Sequence, residues 1–369
     1  MRIPDALKPA DGRFGSGPSK VRPEAVQALA ANAGSYLGTS HRQQTVRDQV
    51  ARLRRGLAEL FAVPDGYEVI LSNGGTTAFW DAATFGLIRD RAQLASFGEF
   101  GVKFATAVKQ APFLGEPSVR AAQPGTAATL VAEEGIDVYA TVHNETSTGV
   151  MVPVRRVAGA DPDALLLTDA TSAAGAVEVD LTQTDVYYFA PQKAFGSDGG
   201  LWLAIVSPAA IARIEQIKAS GRWIPAFLDL ATVVEQSRLE QTNNTPALAT
   251  IFLAAEQVDW MLANGGLAWA AKRSAESAGE IYAWAQRSAV ANPFVSDPAL
   301  RSTTVATIDF DESVDAAALA KTLRANGIVD TEPYRKLGRN QLRIALFPTI
   351  DSADAHALTV CIDYVLDHG

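Results

Sequence analysis

Residues 165–175 read LLLTDATSAAG, and residues 185–200 read DVYYFAPQKAFGSDGG. Each stretch contains a short apolar run, typical of a buried strand, and soon reaches a charged side chain, Asp169 in the first and Lys193 in the second. Open α/β sheets place ligand-binding side chains beyond the carboxyl ends of their strands. We therefore expect Asp169 and Lys193 at one edge of such a sheet.

The same pattern extends on both sides of these stretches, between about residues 66 and 206. Short apolar runs alternate with helix-like stretches, which indicates βαβ units on a mainly parallel sheet. Strands are predicted at residues 68–72, 137–142, 164–168, 186–190 and 201–206. Four of these runs lead into the polar segments SNGG, HNET, DATS and PQK, so four loops should converge on one edge of the sheet.

Beyond about residue 250 the pattern changes to long helical stretches, with strand-like runs at 303–308 and 341–346. This change indicates a smaller α+β domain. We expect an N-terminal segment over residues 1–15, a large domain over residues 16–255 and a small C-terminal domain over residues 256–369.

Composition restricts the class of protein. The 369 residues are 48% hydrophobic and 20% charged, as in ordinary globular proteins. No apolar run approaches the roughly 20 residues that cross a bilayer, and the N-terminus lacks a signal-peptide pattern, so we expect a cytoplasmic protein without membrane contact. A net charge of -9 with no basic tract argues against nucleic acid as a partner. The single cysteine, Cys361, leaves no internal disulfide and no CxxC metal site, and no metal is expected.

Lys193 and Asp169 have the chemistry that a carbonyl cofactor needs. A lysine beside low-dielectric walls keeps a larger fraction of neutral, nucleophilic amine. A carboxylate such as Asp169 could pair with the protonated ring nitrogen of pyridoxal phosphate and keep the ring an electron sink. The structural alternatives are a solvated loop lysine, and an Asx turn or helix N-cap at Asp169.

Other strand ends could complete the same site. The segment NGGTT at 73–77 could offer backbone N–H groups and the hydroxyls of Thr76 and Thr77 to a phosphate. Phe100 could lay its ring on a flat cofactor, and Thr146 could hydrogen-bond to the ring oxygen. The alternatives are plain turns in the two loops and a core position for Phe100.

Two basic features suggest where an anionic substrate binds. Ser40 and Gln43 fit a helix capping box, which would put His41 and Arg42 on the first turn of a helix. Free backbone N–H groups, the helix dipole and a guanidinium all favour an anion there, although an exposed basic pair is the alternative. Arg343 is a charge inside the apolar run QLRIAL at 341–346 and is expected to be paired.

The motifs GGTT, HNETSTG, DATSAAGA and PQKAFG occur in this order and resemble the class V branch of fold-type I pyridoxal-phosphate aminotransferases. The segments FGSGPSKVRPE at 14–24, SHR at 40–42 and NNTPA at 243–247 resemble the phosphoserine aminotransferases of that branch, especially the actinobacterial form. This resemblance covers nearly the whole chain. It implies the fold-type I architecture, with a seven-stranded type of mainly parallel sheet in the large domain.

The resemblance also implies an activity, the transfer of the amino group of glutamate to 3-phosphohydroxypyruvate to give O-phosphoserine and 2-oxoglutarate in serine biosynthesis. A phosphorylated precursor of pyridoxine is implied as a second substrate. A class V aminotransferase for alanine or serine with glyoxylate would share every cofactor residue, and only the His41 and Arg42 pair argues against it. A further alternative is a non-catalytic dimer of the same fold.

Roles for individual residues follow from the resemblance. It makes Lys193 the Schiff-base lysine, puts Asp169 on the pyridine nitrogen, Phe100 on the ring face and Thr146 on the ring hydroxyl. The residues that would contact the cofactor phosphate of their own chain are Thr76, Thr77 and Gln192. Asn244 and Thr245 would reach the cofactor phosphate of the neighbouring subunit, so a homodimer is implied.

For the substrate, the resemblance makes Arg343 the clamp for the α-carboxylate. His41 and Arg42 would bind the substrate phosphate, with Arg335 and Lys336 as further candidates. Many members of the family have an arginine where Thr77 stands and a tryptophan where Phe100 stands. These two departures concern how the substrate phosphate is bound.

Overall fold

The computed structural model describes all 369 residues and is built around a seven-stranded sheet. The strands of the chain are β1 Glu68–Asn73, β2 Ala92–Ser96, β3 Ser118–Ala121, β4 Val138–Val142, β5 Asn144–Glu145, β6 Val150–Met151, β7 Leu165–Asp169, β8 Val186–Phe189, β9 Leu201–Val206, β10 Ala291–Pro293, β11 Val305–Phe310 and β12 Gln341–Ala345. The helices are α1 Pro23–Tyr36, α2 Gln44–Leu60, α3 Thr76–Gly86, α4 Glu99–Gln110, α5 Pro208–Ala219, α6 Leu230–Arg238, α7 Leu248–Ala263, α8 Gly266–Arg287, α9 Ala316–Ala325 and α10 Ser352–His368.

The large sheet has the strand order β1-β9-β8-β7-β4-β2-β3, and only β9 runs antiparallel to its neighbours. The predicted mainly parallel α/β sheet is confirmed. The five strands predicted between residues 66 and 206 are all present, to within one or two residues at their ends. Strands β2 and β3 were missing from the prediction, and they complete the sheet on one side.

Helices cover both faces of this sheet, which explains why its central strands are apolar throughout. One apolar cluster joins the sheet to α3, α4, α5 and α6, and contains Phe79, Trp80 and Leu167. The opposite cluster joins the sheet to α2 and α7, and contains Leu53 and Phe189. All residues of β7, β8 and β9 are buried as a result.

A second, antiparallel sheet of three strands, β10-β11-β12, packs with α8, α9 and α10 around a third apolar cluster. Cys361 is buried in this cluster, as expected for a core cysteine. Ile3 and Phe14 of the N-terminal segment are buried in it too. The division of the chain at residues 15 and 255 stays a prediction, and α7 runs across the second boundary.

The N-terminal segment also connects the small sheet to the large one. Phe14 N–H donates to the Val329 carbonyl, and Ala345 N–H donates to the Phe14 carbonyl. Two residues later the chain reaches Ser16, whose carbonyl accepts a hydrogen bond from Lys193 Nζ.

None of the helices combines the length and the apolar character that a membrane crossing requires.

A buried ion pair fixes the entry to β4. The Asp137 carboxylate accepts hydrogen bonds from the backbone N–H groups of residues 89, 90 and 91, each at 2.8 Å. Arg213 Nη1 donates to the same carboxylate at 3.0 Å. Because β4 leads into the HNETSTG loop, this pair helps to set the position of that loop.

Replacing Arg213 with Met should lower the free energy of unfolding by about 3 kcal/mol or more, because Asp137 would keep a buried and unpaired charge. Urea unfolding followed by circular dichroism measures the change. Arg238→Met is the matched control, since the Arg238 side chain is 49% exposed and that of Arg213 only 4%. An exposed pair such as Arg238 with Glu68 contributes about 1 kcal/mol or less. Equal losses of stability in the two variants would contradict the expectation that the buried Arg213 pair contributes more.

Candidate active site

A cavity of about 240 Å³ lies at the edge of the large sheet where the parallel strands end. Seven of the residues singled out in the sequence line it together, namely Thr76, Thr77, Phe100, Thr146, Asp169, Gln192 and Lys193. They come from the start of α3, the start of α4 and the loops after β4, β7 and β8. The predicted convergence of four loops is therefore present.

Lys193 is buried in this cavity. Its Nζ donates to the carbonyl of Ser16, and the neighbouring Gly17 has no room for a side chain, because an added Cβ would lie 2.5 Å from Lys193 Cε. Burial lowers the pKa of the Lys193 amine to about 7, and the nearby Arg343 guanidinium acts in the same direction. A substantial fraction of the amine is therefore neutral near pH 7.

Asp169 is the last residue of β7 and is also buried. Its Oδ1 accepts hydrogen bonds from the Thr171 N–H at 2.9 Å and the Thr171 hydroxyl at 2.6 Å, so the Asx-turn alternative is realised. Its Oδ2 accepts from the Trp80 indole N–H at 3.2 Å. Burial raises the pKa of this carboxyl, and the hydrogen bonds oppose that shift. The turn and a ligand-facing role are compatible, because Asp169 still lines the cavity.

The start of α3 offers donors to an anion. Gly75 is its N-cap residue and supplies no side-chain cap, so the first N–H groups of the helix have no partner inside the helix. The hydroxyl-bearing residues Thr76 and Thr77 occupy its first two positions and line the cavity. Close by, Gln192 Oε1 and Asn144 Oδ1 are buried without a hydrogen-bond partner. These groups suit a polar ligand that supplies the missing partners.

Glu145 was not singled out in the sequence, yet it holds the cavity wall in place. Its fully buried carboxylate accepts from the Phe100 N–H at 3.1 Å and the Gly101 N–H at 3.3 Å, and thereby caps α4. Gly98 must lack a side chain, because a Cβ there would lie 2.3 Å from Glu145 Cγ. Glu145 thus fixes the position of Phe100. The sequence did contain one signal for this role, which is an acidic residue inside the otherwise neutral HNETSTG loop.

Trp80 was also missed. It lies on the apolar face of α3, where helical periodicity predicts only a core residue. Its indole N–H nevertheless reaches both Asp169 Oδ2 and the Tyr188 hydroxyl, each at 3.2 Å. Nothing in the local sequence indicates that this tryptophan faces a carboxylate from another strand.

Arg343 lies on β12 and reaches the loop that carries Thr146. It was expected to be paired, and it forms no salt bridge with another residue of the chain. The only hydrogen bond of its side chain is a long one of 3.4 Å from Nη1 to the Thr146 carbonyl, and its Nε is buried without a partner. The ring of Tyr334 lies over the guanidinium instead, with Cζ 5.4 Å from the ring centroid.

Arg343 is not among the residues that line the cavity, and the remaining candidates lie outside it as well. His41 Nδ1 is 3.2 Å from the Thr245 hydroxyl, and Arg42 donates to Gln241 Oε1 at 2.8 Å. Neither His41, Arg42, Asn244 nor Thr245 lines the cavity of its own chain. Lys336 pairs with Glu99 on α4, and Arg335 is exposed.

The predicted capping box at Ser40 is wrong. Helix α2 begins at Gln44, and its N-cap residue is Gln43. The Ser40 hydroxyl accepts from the Arg42 N–H at 3.3 Å, and the Ser40 carbonyl accepts from the Gln43 N–H at 2.9 Å. These local bonds form a turn, so His41 and Arg42 precede the helix rather than occupying its first turn.

Known proteins share this architecture. The family model for class-V aminotransferases matches residues 122–331. A Mycobacterium leprae protein is 61% identical over 367 residues, which covers 100% of this chain and 97% of the relative. A phosphoserine aminotransferase of Nocardioides sp. is 59% identical over 369 residues, with 100% and 99% covered.

Among solved structures, a phosphoserine aminotransferase of Cytophaga hutchinsonii superposes with a TM-score of 0.89 at 23% identity, covering 96% of this chain and 99% of the other. At that identity the superposition concerns the fold alone. The family model and the full-length relatives indicate common ancestry, so the chain belongs to the class-V aminotransferase family.

Proposed function

We propose that this chain is a pyridoxal-phosphate-dependent phosphoserine aminotransferase of serine biosynthesis, which moves the amino group between glutamate and 3-phosphohydroxypyruvate. The observation that carries the proposal is the pairing of a buried, partly neutral Lys193 with a buried Asp169 in one cavity. The full-length relative named phosphoserine aminotransferase supports the substrate. We further propose a cytoplasmic location, which suits the free, buried thiol of Cys361.

The cavity fits this cofactor. Lys193 would hold its carbonyl carbon, Asp169 its ring nitrogen and Phe100 its ring face. Thr146 would contact the ring hydroxyl, and the phosphate would lie at the start of α3 with Thr76, Thr77 and Gln192. The unpartnered Gln192 Oε1 and Asn144 Oδ1 support a polar occupant. When bound, pyridoxal phosphate supplies the electron sink for the negative charge that develops at the substrate Cα.

The side chains of the protein then transfer the proton and orient the substrate. Lys193 Nζ would move the proton between the substrate Cα and the carbonyl carbon of the bound cofactor, for which a pKa near the working pH is best. Thr171 and Trp80 donate to both oxygens of Asp169, and these hydrogen bonds oppose the rise that burial causes in its pKa. Arg343 binds the α-carboxylate through a guanidinium edge that forms no other strong contact.

We also propose a homodimer in which each chain completes the site of its partner. His41 and Thr245 are in contact with each other, and Asn73, which precedes the glycine loop, donates to the Thr245 carbonyl at 2.9 Å. Several polar atoms of this corner are buried without partners, namely His41 Nε2, Asn73 Oδ1 and both side-chain atoms of Asn243. Asn244 and Thr245 beside them are exposed and would face the cofactor phosphate and substrate of a second chain.

Lys193→Ala should abolish transamination, and borohydride should no longer attach the cofactor covalently. In the unaltered protein, peptide mapping after borohydride should find the cofactor on Lys193. Lys103→Ala is the control, because the Lys103 ammonium lies 5.3 Å from the Phe100 ring centroid and therefore also lies close to the cavity. Attachment to any lysine other than Lys193 would contradict the assignment.

The rate at which the apoenzyme captures pyridoxal phosphate should rise with pH and level off above neutrality. The neutral amine is the reactive form, and burial lowers the pKa of Lys193 to about 7, so the rate should be half-maximal near pH 7. Stopped-flow absorbance measures it. A rate that keeps rising in proportion to hydroxide up to the ordinary lysine pKa of 10.5 would show that the amine is solvated.

Mixed dimers test the shared site. One chain carries Lys193→Ala and the other carries Asn244→Ala with Thr245→Ala, and each homodimer should be nearly inactive. If the Asn244 loop serves the partner, the mixed dimer has one intact site and should regain about half of the activity per dimer. If the loop serves its own chain, no intact site forms and the mixture stays inactive.

Arg42→Ala should reduce kcat/KM for phosphoserine by about one to two orders of magnitude, since a charge-assisted hydrogen bond contributes roughly 1.5–3 kcal/mol. Steady-state kinetics measures the loss, and the bound cofactor spectrum should not change. Arg55→Ala, on the exposed face of α2, is the matched control. Alanine has no distal charge, so an equal loss with alanine, or a native preference for alanine over phosphoserine, would reject phosphoserine as the substrate.

A further inference from the structure

Arg343 is a partly buried cation that forms no salt bridge with the chain. Its guanidinium has one long hydrogen bond, to the Thr146 carbonyl, and its buried Nε has none. No carboxylate lies within salt-bridge distance. A charge removed from water needs compensation from its surroundings, and here the chain provides an aromatic face.

That face belongs to Tyr334, which lies between two parts of the site. Its ring centroid is 5.4 Å from Arg343 Cζ and 6.1 Å from the centroid of the Phe100 ring. The Tyr334 hydroxyl forms no hydrogen bond with another group of the chain. The ring, and not the hydroxyl, therefore makes the contacts.

The segment that carries Tyr334 is held at both ends. Before it, Arg324 Nε donates to Glu332 Oε1 at 2.8 Å, and after it the Lys336 ammonium pairs with the Glu99 carboxylate on α4. The Thr331 carbonyl also accepts from the Arg343 N–H at 2.9 Å, which ties the start of the segment to β12. Together with the hydrogen bond to β12, these contacts place the ring over the guanidinium.

A ring on one face of a guanidinium restricts rotation of its plane but leaves the N–H groups at its edge free. A carboxylate binds two of these edge N–H groups side by side, so the orientation of the plane decides whether both can be used. The ring also offsets part of the desolvation of the cation when no carboxylate is bound. Both effects favour an Arg343 that is ready to accept a carboxylate.

We infer that Tyr334 is a positioning residue that holds Arg343 in the orientation needed to bind the α-carboxylate of the amino-acid substrates. This inference rests on the proposed function, in which Arg343 is the carboxylate clamp. Tyr334 acts through Arg343 and touches no reacting atom in this role. It therefore belongs to substrate binding and not to cofactor binding.

Tyr334→Leu in the holoenzyme should raise KM for both glutamate and phosphoserine about tenfold, with kcat changed less, because a desolvated cation–π contact is lost. The dissociation constant of glutarate, a dicarboxylate without an amino group, should rise by about the same factor. Tyr334→Phe keeps the ring and should restore both values to about those of the native enzyme. Circular dichroism and the melting temperature verify that the variants are folded.

A double-mutant cycle with Arg343→Gln separates this inference from the proposed function. If Tyr334 acts through Arg343, Tyr334→Leu has no further effect on glutarate binding once Arg343 is replaced. Three results would overturn the role of Tyr334. They are additive losses of glutarate affinity in the double variant, a Tyr334→Phe variant that binds glutarate as weakly as Tyr334→Leu, and a changed cofactor affinity, which would point to Phe100 instead. If Arg343→Gln itself leaves glutarate binding and both KM values unchanged, the clamp role of Arg343 fails, and the inference about Tyr334 fails with it.

Discussion

The site depends on one constraint, which is that the Lys193 amine is held where water cannot solvate its charge. Two layers of helices bury β8, the strand that precedes the lysine, on both faces. The Ser16 carbonyl then occupies the position next to Nζ that water would otherwise take. An amine in these surroundings loses the solvation that keeps ordinary lysines charged, and it becomes a nucleophile and a base at neutral pH.

The other ionisable groups in and around the cavity are stabilised in different ways. Asp169 and Glu145 are carboxylates that hydrogen bonds satisfy without a contacting cation, from Thr171 and Trp80 in one case and from Ser147 and the start of α4 in the other. Arg343 has the aromatic ring described above. Because each charge already has a fixed environment, binding of a ligand requires little rearrangement of these groups.

Much of the site could be predicted because its residues follow apolar strands, and strand ends of a parallel sheet meet at one edge whatever the details of packing. Trp80 and Glu145 were not predicted because their partners come from distant segments. Helical periodicity alone assigns Trp80 to the core. The capping box failed because the Ser40 hydroxyl bonds within its own turn, a competition that local sequence does not decide. Arg343 was expected to be paired, and sequence patterns do not reveal an aromatic ring placed over a guanidinium.

The contacts of Phe14 and Ser16 affect the order in which the site forms during folding. The backbone of Phe14 bonds to Val329 and Ala345, which are far away in sequence, and the Ser16 carbonyl accepts from the side chain of Lys193. Contacts between segments so far apart in sequence form late in folding, because closing such long loops costs entropy. Until these contacts form, the Ser16 carbonyl is not held beside Lys193 Nζ, so we expect the amine to reach its buried environment late in folding.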